Sequence, residues 1–223
     1  MIERFSLTAE LGDIVERFGA AKVVQGHTNR YNINPTQTVS IVMNDRHNVR
    51  VIQEARWGLF PFWAKDSVNT DHDGLSAKPF LHRMLRRQRC IIPCSGFYGQ
   101  KQVGQEREPR AMHIVVPSRP LIGIAGIYDC WRHVNGKEVR AFTMLTAAAS
   151  GPLSVWQPRV PVMLDEEGAS SWLNPDTTDF AKLRKHLEGI DHHMLRAYPV
   201  TNAVYDEQYE SPDCVREVRV DFA

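Results

Sequence analysis

The sequence predicts a mixed α/β domain built on a curled sheet or small barrel, with helices outside it. Three observations predict it. Short β-rich runs separated by turn signals dominate the middle of the chain, only three stretches carry helical spacing, and no linker, repeat or low-complexity segment interrupts the 223 residues. One domain spanning residues 1–223 is therefore expected, long enough to bury a core without disulfides or metal staples.

The elements follow in order. Thr8 reads as the cap of a helix over 8–19, because Leu11, Ile14, Val15 and Phe18 form one apolar stripe and Gly19 is a stop signal. Thr38–Met43 and Val49–Ala55 are β-rich, and the polar residues 44–48 between them read as a hairpin turn. Residues 57–76 have no period and mix Trp57, Phe60, Phe62 and Trp63 with Gly, Pro, Asn and Asp, which predicts a long ordered loop. A short helix around 78–87 follows, with Leu81, Met84 and Leu85 inward and Arg83, Arg86 and Arg87 around them. Strands are expected at Arg89–Pro93, Gly96–Lys101, Arg110–Val116, Leu121–Tyr128 and Val139–Ala147, with a hairpin loop at Gln102–Pro109 and a turn at Asn135-Gly136. A last helix over Asp176–Glu188 has Asp176 as its cap, Phe180, Leu183 and Leu187 inward, and Gly189 as its stop.

Composition narrows the function. The formal net charge is +1, so any basic surface for a polyanion must be local. No apolar run is long enough to span a bilayer, and Met1-Ile2-Glu3-Arg4-Phe5 does not open like a signal peptide, so a cytoplasmic protein with no membrane partner is expected. Cys90, Cys94, Cys130 and Cys214 are then expected as reduced thiols, with Cys90 and Cys94 in the core. No second ligand pair accompanies those two, and His192-His193 reads as solvated surface, so no metal is expected. The chain has no P-loop, dinucleotide fingerprint or G-x-S-x-G elbow, and no cofactor is expected.

The informative stretch is Arg56–Arg89. It places aromatic residues in a loop and basic residues on the helix after it, the two ingredients of single-strand recognition. The same residues also fit a second description, core aromatics beside a solvated helix face.

Several segments, in order, resemble one family. Arg56-Trp57-Gly58-Leu59-Phe60-Pro61-Phe62-Trp63-Ala64-Lys65-Asp66 is similar to the R-W-G-L-I-P-x-W-A-K-D segment of the SRAP proteins, the SOS-response-associated peptidase-like proteins that crosslink to abasic sites in single-stranded DNA. Tyr31-Asn32-Ile33-Asn34-Pro35-Thr36-Gln37, Arg89-Cys90-Ile91-Ile92-Pro93-Cys94-Ser95-Gly96-Phe97-Tyr98 and Ala125-Gly126-Ile127-Tyr128 resemble three further family motifs. So does the pair Leu145–Ala149 and Arg159–Leu164. The resemblance runs from Met1 to about Val204. It implies the α+β SRAP fold, a bent, barrel-like mixed β-sheet flanked by helices, with the N-terminus buried in a groove.

The resemblance also assigns roles, residue by residue. The family's catalytic cysteine after Met, whose amine and thiol trap an abasic aldehyde as a thiazolidine, is Ile2 here. Its glutamate is Gly99, its histidine Gln157, and an amide does not titrate near neutral pH. Its N-A-R-x-E segment aligns Asn69 with the asparagine, Asp71 with the arginine and Asp73 with the glutamate. The DNA contacts it implies are Arg4, Asn32, Pro61, Phe62, Trp63, Asn69, Arg83 and Arg159. The expectation is weak binding of single-stranded or abasic DNA without the crosslink, weakened further by Asp71. Two alternatives stay open: a reversible imine on the Met1 α-amine, leading to strand scission, and a non-catalytic protein-interaction domain reusing the groove. Peptidase action has no basis with Ile2 in the cysteine's place, and no protein partner can be read.

Overall fold

The computed structural model of the chain describes residues 2–24, 27–61, 64, 67–75, 78–102, 109–132, 136, 138–187 and 189–219. In chain order the first elements are β1 (Phe5–Leu7), α1 (Leu11–Phe18), β2 (Lys22–Val23), β3 (Arg30–Ile33), β4 (Thr38–Asn44), β5 (Arg50–Trp57) and β6 (Asn69–Asp71). Then come α2 (Pro79–Arg87), β7 (Arg89–Cys94), β8 (Gly96–Lys101), β9 (Arg110–Val115), β10 (Ile122–Arg132) and β11 (Glu138–Ala148). The chain finishes with β12 (Arg159–Pro161), β13 (Met163–Leu164), α3 (Glu166–Leu173), α4 (Phe180–His186) and β14 (Arg196–Pro199).

The expected bent, barrel-like α+β architecture is present. Strands run β11-β10-β7-β4-β5 in antiparallel steps, and β5 then returns to β11 in parallel, pairing Arg56 with Ala141 and Trp57 with Phe142. That last pairing closes a ring of strands and makes the sheet mixed. A second, antiparallel sheet has the order β14-β9-β8-β1-β3. The core is aromatic where the two sheets meet. Phe5 of β1 stands edge-on to Trp57 at 5.2 Å, and Trp57 stacks on Phe142 at 6.5 Å. Trp57 is fully buried and its indole N–H donates to the Val68 carbonyl, so it belongs to the core and not to a stacking platform.

Several expectations shift. The first helix starts at Leu11 rather than Thr8, whose backbone N–H is held by Ser95 Oγ, while Gly19 ends the helix at φ +61 as expected. The last helix starts at Phe180, because Asp179, not Asp176, caps it by accepting from the Ala181 N–H at 2.9 Å. The supposed loop 57–76 contains β6 and a 3₁₀ turn at His72–Gly74. Asn-Thr-Asp has no β pattern and becomes a strand only by backbone pairing to β11. Helix α3 gave no apolar stripe, yet its Trp172 is fully buried with the indole on the Cys90 carbonyl. The hairpin tips expected around 102–109 and at Asn135 fall mostly outside the described residues.

Strand β11 organises the rest. Its first half lies between β10 and β5, and its second half between β6 and β12. Asn69 pairs with Met144, Asp71 with Thr146, and Arg159 with Ala148. Backbone register alone therefore gathers Asn69, Asp71 and Arg159 at one end of one strand.

Candidate nucleic-acid interface

The N-terminal arm enters beside β8. Phe5 pairs with Phe97 and Ser6 with Gly96, and the Tyr98 N–H donates to the Arg4 carbonyl at 3.1 Å. Ile2 is fully buried, and its carbonyl accepts from Asn69 Nδ2 at 2.7 Å. Asn69 Oδ1 is buried too and has no partner among the described residues, which leaves one acceptor beside the arm unused.

Glu3 and Arg4 line a cleft of about 240 Å³ with Gly99, Trp156, Gln157 and Tyr205. The Arg4 guanidinium donates to the Tyr205 carbonyl at 3.1 Å and lies 5.5 Å over the Tyr205 ring. Gly99 and Gln157 are sterically linked. A Cβ on Gly99 would meet Gln157 Oε1 at 2.6 Å, Trp156 at 3.0 Å and Ile114 at 3.1 Å. Gln157 is buried, and its amide N–H donates to the Arg159 carbonyl at 2.8 Å. The amide oxygen of Gln157 thus fills the space a side chain at position 99 would need. Glu3 and Arg4 are the charged side chains among the described residues that line this cleft.

Arg159 is oriented by Thr146, whose Oγ1 accepts from Nε at 3.2 Å and whose carbonyl accepts from NH2 at 2.8 Å. It also forms an ion pair of 2.9 Å with Asp71. The side chains of Arg159 and Asp71 are 31% and 49% exposed, so the pair sits at the surface. Asp71 accepts from the Asp73 N–H as well, capping the 3₁₀ turn, and Asp73 pairs with Arg184 at 3.2 Å. Asp71, His72 and Asp73 bring ligand atoms within 4.8 Å of one another, but Arg159 and Arg184 already balance the two carboxylates.

The other expected contacts divide. Arg83 is exposed on α2, with its guanidinium 5.5 Å over the Phe80 ring. Pro61 is half-buried, and Phe60 beside it is 68% exposed against Trp131. Phe62 and Trp63 lie outside the described residues. Asn32 lies in the interior and not at the interface that the resemblance implies. It is fully buried, and its amide N–H groups face the carbonyls of Val204, Asp206 and Tyr209, each at 3.0 Å, tying the 204–209 turn to β3.

Two residues of the site had no role assigned from the sequence. Thr146 stands in the Leu145–Ala149 motif with no contact expected of it, and Tyr205 is 201 residues from the Arg4 it receives. Nor do Cys90 and Cys94 take over from Ile2. Cys90 and Cys94 are fully buried, and burial raises both thiols, Cys94 to about 12, so neither is a thiolate at neutral pH. His192 is half-buried rather than solvated. Burial lowers its pKa, and its Nδ1 accepts from the Ser150 N–H at 3.0 Å.

An N-terminal arm held by Asn69, an arginine fixed by Thr146 at the end of β11 and a polar cleft beside the arm make up the site of this α+β fold. The chain belongs to the SOS response associated peptidase (SRAP) family, which it matches over residues 1–207. It is 32% identical to the abasic site processing protein YoqW of Bacillus subtilis, an alignment covering 96% of this chain and 99% of that one. It is 25% identical to the abasic site processing protein HMCES of Xenopus tropicalis, covering 84% of this chain and 66% of that one. A crystal structure of a protein from Bacteroides thetaiotaomicron superposes with a TM-score of 0.82 at 24% identity, covering 97% of this chain and 99% of that one, which establishes the shared fold. Among the described residues, no helix is long and apolar enough to cross a membrane.

Proposed function

We propose that this protein binds single-stranded DNA, abasic sites included, in a DNA-damage setting, and does so without a stable covalent link. Relatives that process abasic sites support the ligand. The observation that carries the non-covalent reading is the Gly99–Gln157 contact. The two positions expected to hold an acid and an acid/base group hold none, and the amide of one fills the space of the other. With Ile2 at the position expected for a thiol, no side chain there can trap an aldehyde. Arg159, held by Thr146, is the phosphate contact in this reading, and Asn69 Oδ1 is the acceptor left for a base or sugar hydroxyl.

The test is incubation with single-stranded DNA carrying one abasic site, with and without borohydride, read on a denaturing gel. No shifted band in either lane, together with salt-sensitive binding to the same strand, is the expected result. A band without borohydride would overturn the non-covalent reading. A band only with borohydride would move the chemistry to an amine. No binding at low salt would remove DNA as the ligand.

A further inference from the structure

A chain of net charge +1 has no cations to spare, so where they gather is informative. A cleft of about 1080 Å³ lies at the opposite end of β11 from Arg159. It is bounded by the β4–β5 turn, the end of α2 and the start of the β10–β11 hairpin. Lys22, Arg46, Arg86, Arg87, Arg132 and Arg140 line it, with Arg89 buried in its floor, against the carboxylates Asp45, Glu138 and Asp176. Seven cations to three carboxylates is a local excess in a near-neutral chain.

The cations are also available. Lys22, Arg86, Arg87 and Arg132 are exposed and make no ion pair among the described residues. Arg140 pairs with Glu138, yet its Nε is buried without a hydrogen-bond partner. Arg89 spends its donors on the carbonyls of Leu85, Arg86, Trp172 and Asn174, so its charge meets no carboxylate. Six of the seven cations are arginine, whose planar fork matches phosphate oxygens in pairs.

We infer that this cleft is a second phosphate-binding surface that takes the phosphodiester backbone of DNA extending beyond the strand held at the N-terminal arm. The choice of DNA rests on the reading above, whereas the polyanion site itself does not. Arg140 and Thr146 are six residues apart on β11, about 20 Å at 3.4 Å per residue, so a strand must continue several nucleotides past Arg159 to reach the cleft. The cleft supplies affinity without sequence preference, because backbone contacts position a strand and do not read it.

The experiment is a salt titration of the full chain against labelled single-stranded DNA of about 30 nucleotides, long enough for several binding footprints. Three proteins are compared: wild type, Arg86→Gln/Arg87→Gln/Arg132→Gln, and Arg159→Gln. Each lost phosphate contact lowers the slope of log K against log salt by about 0.7 for single strands. The triple variant should lower it by about 2, and Arg159→Gln by about 0.7. An unchanged slope in the triple variant with a lowered one in Arg159→Gln overturns the second surface and leaves the first reading standing. The reverse pattern keeps the second surface and removes the first. No salt-sensitive binding by the wild type overturns both. Lys22→Gln/Arg46→Gln, on the other wall, is the independent variant should the triple lose its fold, and it should lower the slope by about 1.4.

Discussion

Asp71→Asn is the most informative single change. In the present structure Asp71 holds Arg159 at 2.9 Å and neutralises the cation expected to meet a phosphate. The substitution keeps the shape and the cap on the Asp73 N–H but removes the charge. Its stability cost is small. With the partners 31% and 49% exposed, the pair belongs to surface ion pairs worth about 0–1 kcal/mol. For a chain of this size the melting temperature should therefore fall by no more than about 2–4 °C. The effect on binding is larger and opposite in sign. A phosphate on Arg159 would lie about 4 Å from the Asp71 carboxylate, where like charges repel by about 1 kcal/mol in a water-like dielectric. Removing that repulsion should tighten binding about fivefold at low salt, since 1.4 kcal/mol is tenfold. Because Thr146 still holds the guanidinium on the same single phosphate, the salt slope should change by less than the roughly 0.7 that losing that contact produces. Fluorescence anisotropy with labelled single-stranded DNA measures both. Unchanged affinity, or a gain that persists in Asp71→Asn/Arg159→Gln, would refute the reasoning, since the effect must run through Arg159.

Other expectations follow from the same contacts. Gly99→Ala should destabilise by about 1–3 kcal/mol by overpacking, and by less in a Gln157→Ala background, where the 2.6 Å contact is gone; equal costs in the two backgrounds by thermal melting would show that the positions are not coupled. Asn32→Ala should cost about 1–3 kcal/mol in denaturant titrations by orphaning buried carbonyls, yet leave DNA affinity of the folded protein unchanged. His113 is buried between Ser6 Oγ and Tyr198 Oη, and burial lowers its pKa from 6.5 to about 4. The unfolded chain therefore binds this proton below about pH 6.5 and the folded chain only near 4, so the contribution is complete above 6.5 and is lost as pH falls toward 4. It amounts to about 3 kcal/mol at 1.36 kcal/mol per pH unit. Melting curves across that window should be steeper in wild type than in His113→Gln, and parallel curves would contradict the assignment.

Much of the frame was legible because it rests on local patterns. The apolar runs of β4, β5, β7, β10 and β11 and their turns marked every strand of the closed ring. What escaped rests on long-range pairing. Strand β6 has the composition of a loop and exists because β11 offers it free backbone groups. Asn32 was expected at the interface only because the resemblance implies it, whereas its acceptors lie more than 170 residues along the chain. The sequence could show that an arginine had become Asp71. It could not show that Asp71 would take Arg159 as its partner, because the two meet only through separate pairings with β11.

The parallel pairing of β5 with β11 has a kinetic side. Arg56 and Ala141 are neighbours in the ring but 85 positions apart in the chain, so closing it pays the entropy of a long loop before any contact rewards it. The two strands that carry Asn69, Asp71 and Arg159 hang on the far half of the same β11. They have no edge to pair with until that strand is in place. The surface proposed to meet DNA therefore forms only once β11 is in place, and a chain lacking that strand gathers neither its arginine nor its asparagine. Local opening of β11 would release Asn69, Asp71 and Arg159 together.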